Sequence, residues 1–439
     1  MKIRLSKLIR LLCLLILICM FAQLIFILTQ TEFSQSFFNT GVRYDFEDLD
    51  FVAKKHTLKL YILGPESLTG EDRDKLYFKN GDIVYLGIDF ESVTTTQLQA
   101  FGRSLSKLGF ALMEFFNKDY FELHKNVYIT VSMVLKRNVL ICIYILYTKE
   151  DNSWWFGALS KDEQWHYKFA VLDVNPSLYS SILSKEKLIK KFAAVEIEKP
   201  FNSFLRPKHY SRYLEDFKHS QFVPCNSSRA LLFQRKFEHA AELTTSAIRF
   251  KHRAWKLLTV VRTVFDNLSI PFWLSSGTCL GYYRQCSIIP YTKDVDIGVF
   301  ASNYSDRIIS ALEKQDIKLM LWLGELEDSL ELSFRDKYGI KLDIFFFYDN
   351  GRNMWNGGTQ VRTGKKFKYL FPRFELCWTL FLTIKVRVPC DTESYIRANY
   401  GPNWFFPQVT WDWKSSPYNV KENGYWPKEK LPFVIKTYN

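Results

Sequence analysis

The hydrophobic pattern divides the chain into an apolar head, a polar and aromatic connector, and a long stretch of strand and helix periods. Leu11–Leu28 is apolar throughout except for Gln23, and Lys2, Arg4, Lys7 and Arg10 precede it. Its eighteen residues are near the ~17–20 that a membrane-crossing helix requires. The basic flank holds the N-terminal side in the cytosol. No small-x-small cleavage site follows Leu28, so a signal anchor is expected rather than a removed leader. The expected layout is a cytosolic tail over 1–10, an anchor over 11–29 and an aperiodic stem over 30–55. Beyond His56 the pattern predicts strands over 58–64, 127–134 and 139–147, the last two joined by a tight turn at Lys136–Asn138. A helix is expected over Thr94–Leu108. These elements make a mixed α/β domain over 56–225 without a catalytic constellation, and Trp154-Trp155-Phe156 is assigned to its core or to an interface. After a Pro-Cys-Asn-Ser-Ser break, a helix is expected over Glu238–Phe265, with Ala247, Trp255, Leu258, Val261 and Phe265 along one face. Residues 226–439 are expected to form one catalytic unit, and the fold class is α/β (α+β).

Chemistry concentrates in that unit. A strand over Pro271–Leu274 runs into Ser276-Gly277-Thr278, a strand-to-helix turn. Glycine there permits close approach of a phosphate, and helix N-terminal amides favour an anion. Seventeen residues beyond Gly277 comes Asp294-Val295-Asp296. Strand side chains alternate, so the two acids project together while Val295, Ile297 and Val299 face a core. Paired buried acids repel each other and are costly to desolvate, which a hard cation such as Mg²⁺ or Mn²⁺ relieves. Asp343 lies in KLDIFFFY (341–348), expected to form a hairpin with ELSF (331–334) around Gly339, and would complete a carboxylate cluster. Gly277, Thr278 and Arg284 are the candidate donor-phosphate contacts, with a helix-surface arginine the alternative for Arg284. Lys365, Lys366 and Lys368 form a basic cluster suited either to an acceptor phosphate or to solvent. Trp355-Asn356-Gly357-Gly358 is expected to be a tight loop near the site. Trp411-Asp412-Trp413 is either packing or a platform for a sugar or base.

Net charge is +13, but the bases are dispersed and four belong to the membrane flank, so no nucleic-acid partner is implied. Sequons at Asn226, Asn267 and Asn303 fit a secretory compartment. Outside the anchor stand Cys142, Cys225, Cys279, Cys286, Cys377 and Cys390, which permit 15 pairings. One or two disulfides are expected, with Cys279–Cys286 and Cys377–Cys390 the candidate pairs and buried thiols the alternative. No C-x-x-C pair is present, which argues against a structural zinc site.

The runs PFWLSSGTCLGYYRQCSIIPYTKDVDIGVF, KLDIFFFY, MWNGGTQ (354–360), KKFKYLFPRF (365–374) and WDWKSSP (411–417) resemble the LicD-like family of nucleotidyltransferase-fold ribitol-phosphate transferases over about residues 220–439. The resemblance implies a single-pass type II Golgi membrane enzyme with its catalytic domain in the lumen. It implies transfer of ribitol 5-phosphate from CDP-ribitol to the phosphorylated O-mannosyl core M3 glycan of α-dystroglycan. Mg²⁺ or Mn²⁺ would be held by Asp294, Asp296 and Asp343, and other transferases of the glycan pathway, or a second copy of the chain, would be partners. Many relatives carry a further acid before the pair, where this chain has Thr292. A D-x-D glycosyltransferase, another CDP-alcohol phosphotransferase and a non-catalytic Golgi scaffold remain competing readings.

Overall fold

A computed structural model describes residues 43–64, 83–115, 132–149, 151–158, 167, 169–174, 185–197, 201–237 and 244–438. The apolar run at 11–28 and the first part of the expected stem lie outside them. Among the described residues no helix is long and apolar enough to cross a membrane.

The first half is a mixed nine-stranded sheet. Its strands are β1 (Leu60–Ile62), β2 (Ile83–Asp89), β3 (Ala111–Phe115), β4 (Ser132–Lys136), β5 (Leu140–Lys149), β6 (Ser153–Phe156), β7 (Lys187–Lys190), β8 (Ala194–Glu196) and β9 (Phe204–Pro207). The spatial order is β3-β4-β5-β2-β1-β9-β8, with β6 and β7 extending from β5. Leu140–Tyr147 of β5 is buried without interruption, as expected of a strand covered on both faces. The expected β4–β5 hairpin is present, with Lys136 opposite Leu140; residues 127–131 lie outside the described residues. Helix α1 (Thr95–Lys107) starts on a capping box at Thr94 and Gln97, and α2 (Tyr210–Lys218) closes this half. Trp154, Trp155 and Phe156 are buried in its core.

The stem expectation fails from residue 43 onward. Residues 43–55 are helical, and Phe46, Leu49, Val52 and Ala53 are buried in the first core. Asp45 is fully buried and accepts from Arg137 Nε at 2.6 Å and from the Asn138 amide at 2.9 Å. The clasp joins residues more than ninety apart in sequence, so periodicity did not reveal it.

The second half is built on α3 (Ser227–Lys236), α4 (Thr245–Leu268) and a second nine-stranded sheet. Helix α4 starts later than expected, at an N-cap Thr244 whose hydroxyl accepts from the Ala247 amide. Strand β10 (Phe272–Leu274) leads into α5 (Ser276–Gln285), followed by β11 (Asp294–Phe300) and α6 (Arg307–Glu313). Then come β12 (Ile317–Glu325), β13 (Asp328–Asp336), β14 (Lys341–Asp349), β15 (Met354–Gln360) and β16 (Lys365–Phe371). A separate hairpin, β17 (Leu376–Phe381) and β18 (Ile384–Pro389), precedes α7 (Thr392–Tyr400), β19 (Val420–Tyr425) and β20 (Ile435–Thr437). The order is β19-β16-β15-β14-β13-β12-β20, with β11 parallel to β14 and β10 beside β11.

The hairpin links the halves. Trp378 N–H donates to Gln221 carbonyl at 2.8 Å, and Trp378 packs against the first core. Arg262 of α4 bonds Asp151 at 2.6 Å. Cys377–Cys390 is formed, as expected. Cys279–Cys286 is not: Cys286 pairs with Cys225. Cys279 sits on the buried side of α5 and is a free thiol, as is the buried Cys142. Cys286 caps that helix in a left-handed conformation, where the chain ahead of α3 meets it.

Candidate active site

Strand register assembles the acids. The parallel β11–β14 pairing sets Asp296 opposite Asp343, and the antiparallel β13–β14 pairing sets Ser333 opposite Asp343. Asp294, Asp296 and Asp343 each offer a carboxylate oxygen within 4.8 Å of the others. Asp296 and Asp343 are buried at 6% and 4% exposure, whereas Asp294 is half-buried.

Each acid has a partner that orients it. Gly277 N–H donates to Asp296 Oδ2 at 3.0 Å. Thr292 Oγ1 donates to Asp294 Oδ1 at 2.6 Å and so fixes a neighbouring acid without adding charge. Ser333 Oγ donates to Asp343 Oδ1 at 2.5 Å, and Lys341 Nζ lies 2.8 Å from its Oδ2. Burial holds the Asp296 carboxyl well above its ordinary range, and Asp294 and Asp343 push it the same way. Burial also raises Asp343, against the pull of Lys341 and Ser333. Burial works against the Lys341 charge, yet Asp343, Glu331 and Asp294 together carry its pKa above the usual lysine value. Three close carboxylates with an excess of negative charge, all hard oxygen donors, suit a divalent cation of the Mg²⁺ or Mn²⁺ type.

The cluster opens into a cleft of about 600 Å³, within the range of small-molecule sites. Gly277 and Arg284 line it and Thr278 does not. Thr278 is 6% exposed, and its hydroxyl accepts from the Asp296 amide at 2.8 Å. The expectation of a phosphate contact from Thr278 is therefore corrected: it ties α5 to β11. Arg284 is not a surface arginine either. It is 1% exposed, bonds Gln285 Oε1 at 3.0 and 3.2 Å, and lies 4.5 Å above the Phe233 ring.

Two further expectations change. Trp355–Gly358 is not a loop but part of β15, paired with β16 over its whole length. The lysines of β16 do not form one patch. Lys365 pairs with Glu422, Lys366 pairs with Asp328 and lies over Trp426, and Lys368 rests 3.8 Å over the Trp355 ring. Alternation along the strand sends Lys365 to one face and Lys366 and Lys368 to the other.

Trp411 and Trp413 both line the cleft while 38% and 40% exposed. Trp411 packs on Tyr400 at 4.9 Å, and Trp413 meets Phe367 edge-on at 5.3 Å. Sequence reasoning missed Glu331, Lys341, Asn356 as a side chain, and Asn399 among the residues around the site. Burial first, then Asp343, pushes Glu331 up to about 8. Its position two residues from Ser333 puts it on the cleft face, but only the β13–β14 register shows that this face is the acidic one. For Asn399, no local signal existed.

Residues 269–391 match the family described as "LicD/FKTN/FKRP, nucleotidyltransferase domain". The chain is similar to ribitol-5-phosphate transferase FKTN of Mus musculus, 53% identical over 234 residues, covering 53% of this chain and 50% of the relative. The Homo sapiens protein of the same name is 50% identical over the same length, with the same coverage. An uncharacterised Caenorhabditis elegans protein is 29% identical over 294 residues, covering 64% of this chain and 72% of its own length. The matched segment thus spans about half the length of the two named relatives.

Proposed function

We propose that this chain, whose second half carries a LicD-type nucleotidyltransferase domain resembling that of fukutin, transfers ribitol 5-phosphate from CDP-ribitol to a phosphorylated glycan. The observation that carries the reading is the Asp294–Asp296–Asp343 cluster lining a cleft that also holds Arg284 and two exposed tryptophans. Acids for a cation, a guanidinium for phosphate and aromatic surface for a ring are what a nucleotide-activated donor requires.

In this reading Asp294, Asp296 and Asp343 would hold Mg²⁺ or Mn²⁺. Bound there, such an ion would neutralise the donor pyrophosphate and the charge that develops on the leaving CMP. Gly277 contributes a close backbone approach beside Asp296, and Arg284 contributes charge-assisted bonds to phosphate. The acceptor hydroxyl oxygen forms a bond to the ribitol-linked phosphorus, the bond from that phosphorus to the CMP oxygen breaks, and CMP departs. Glu331 is suited to take the hydroxyl proton. It stands about 7 Å along β13 from Ser333, one full pleat repeat, and so shares the cleft face with the acids.

The acceptor proposed is the phosphorylated O-mannosyl core M3 glycan of α-dystroglycan, with fukutin-related protein and a second copy of the chain as protein partners. The apolar run at 11–28 supports a single-pass type II Golgi membrane protein with its active site in the lumen. The test offers CDP-ribitol, CDP-choline, CDP-glycerol and UDP-sugars to the purified chain with Mg²⁺ or Mn²⁺ and a phosphorylated core M3 glycopeptide. Transfer from CDP-ribitol, abolished by EDTA and by Asp294→Ala, is expected. Transfer from a UDP-sugar would replace the reading with glycosyl transfer. Inactivity with every donor, from a folded protein, would favour the scaffold reading.

A further inference from the structure

Two buried amides in the lining of the cleft each leave the side-chain oxygen without a bond. Asn356, on β15, is 6% exposed and Asn399, on α7, is 8% exposed. Both line the cleft, and the side-chain oxygen of each is buried without a hydrogen-bond partner among the described residues. Buried polar groups are nearly always bonded, so two open ones in a single cavity call for a reason, and a ligand supplies it.

The fold does not require asparagine at either position. The strand neighbours of Asn356 are Phe347 and Tyr369, both buried, and an apolar residue would pack there without leaving an open group. The backbone carbonyl of Asn399 already anchors the Tyr418 amide at 2.7 Å, which leaves its side chain free of that task. Two residues on, Gly358 makes room for the Trp413 and Tyr369 side chains of the cleft lining, whose nearest atoms stand 3.2 Å from where a Cβ would sit.

Position separates Asn356 from the reacting centre. Asn356 pairs with Phe347, four residues along β14 from Asp343, which is about 13 Å at strand spacing. A pyrophosphate held at the acids does not extend that far; a substituent attached to it, or the acceptor, does. The chemistry is also different in kind. Arg284 and Lys341 supply positive charge in the cleft, whereas an amide is neutral and offers both donors and acceptors. Hydroxyl groups, each of which donates and accepts, satisfy it whichever way it is turned.

We propose that Asn356 and Asn399 read the hydroxyls of a polyhydroxylated group, either the alditol of the donor or a sugar ring of the acceptor, and so set the specificity of the cleft. The inference rests on the transferase reading above and deepens it.

The test compares the full chain with Asn356→Ala and Asn399→Ala. It measures KM and kcat for CDP-ribitol, CDP-glycerol and the glycopeptide, and calorimetric binding of CMP, ribitol 5-phosphate and glycopeptide with Mg²⁺ present. Thermal unfolding is recorded for each protein. A lost neutral hydrogen bond predicts about a five- to tenfold rise in KM per amide. If the amides read the donor, the rise is in CDP-ribitol and the preference over CDP-glycerol narrows. If they read the acceptor, the rise is in the glycopeptide alone. In both cases CMP affinity holds and the melting temperature does not fall, because no internal bond has been removed. Weaker CMP binding would overturn the proposal in favour of nucleotide recognition. A fall in melting temperature with every affinity unchanged would overturn it in favour of packing. A wild-type chain that binds these ligands without turning over would cost the transferase reading alone, since the calorimetric comparison would still stand.

Discussion

Replacing Arg284 with methionine distinguishes a guanidinium held for the fold from one held for a ligand. Arg284 is buried, and its polar contacts are Gln285 Oε1 at 3.0 and 3.2 Å and the Tyr291 hydroxyl at 3.4 Å, with the Phe233 ring beneath it at 4.5 Å. No carboxylate among the described residues pairs with it, and burial pulls its pKa below the usual arginine value. An ion buried without a counter-charge costs several kcal/mol. The ring contact returns about 1–2 kcal/mol, and the hydrogen bonds of a charged group about 1.5–3 kcal/mol. These terms nearly cancel, and methionine retains most of the apolar packing of the stem. Unfolding free energy should therefore stay within about 1 kcal/mol of wild type, against the about 3–5 kcal/mol lost when one partner of a structural buried ion pair is removed. Ligand binding should not be spared. One lost charge-assisted contact of about 1.5–3 kcal/mol weakens CMP binding roughly ten- to a hundredfold. Denaturant unfolding and calorimetric titration of CMP with Mg²⁺ present measure the two quantities on one protein. A stability loss above about 3 kcal/mol with CMP affinity unchanged would refute the reasoning and make Arg284 a packing residue.

The remaining predictions concern the acids and the cross-links. Asp296→Asn should raise the stability of the metal-free protein near neutral pH, because it removes a carboxylate that burial and two neighbours disfavour, while turnover falls at least about a hundredfold; unfolding in EDTA and a donor assay check both. Asp296 and Glu331 have native pKa values raised above their unfolded ones, Glu331 to about 8. Their contribution to metal-free stability is therefore complete below about pH 4 and is lost as pH rises through the native values. Mg²⁺ should reverse that loss, so the melting-temperature gap between Mg²⁺ and EDTA should widen from pH 5.5 to 8; a gap independent of pH would count against a metal on these carboxylates. Removing Cys225–Cys286, which closes a separation of 61 residues, should cost about 4 kcal/mol, against about 3 kcal/mol for Cys377–Cys390, whose separation is 13. Denaturation of the two double-serine variants ranks them, and the reverse order would contradict the chain-entropy account.

Local pattern determined a good deal of this protein. The β4–β5 and β13–β14 hairpins, the start of α1 at Thr94 and the projection of Asp294 and Asp296 from one strand face all follow from periods of two and 3.6 and from short-range capping. Those signals lie within a few residues of one another, so a single sequence carries them. Tertiary structure decided whatever depends on which surfaces meet. It paired Cys286 with Cys225 across 61 residues, buried the 43–55 helix through Asp45 and Arg137, and enclosed Arg284 between Phe233 and Tyr291. It also turned Thr278 from the cleft to the Asp296 amide. Above all it set the register of β11 on β14, which brings Asp294 and Asp296 beside Asp343 and Lys341 and, across the adjoining hairpin, near Ser333 and Glu331. A shift of one residue in that pairing would send the β11 acids to the face opposite Asp343, and local sequence does not encode how β11 aligns with a strand from a separate part of the chain.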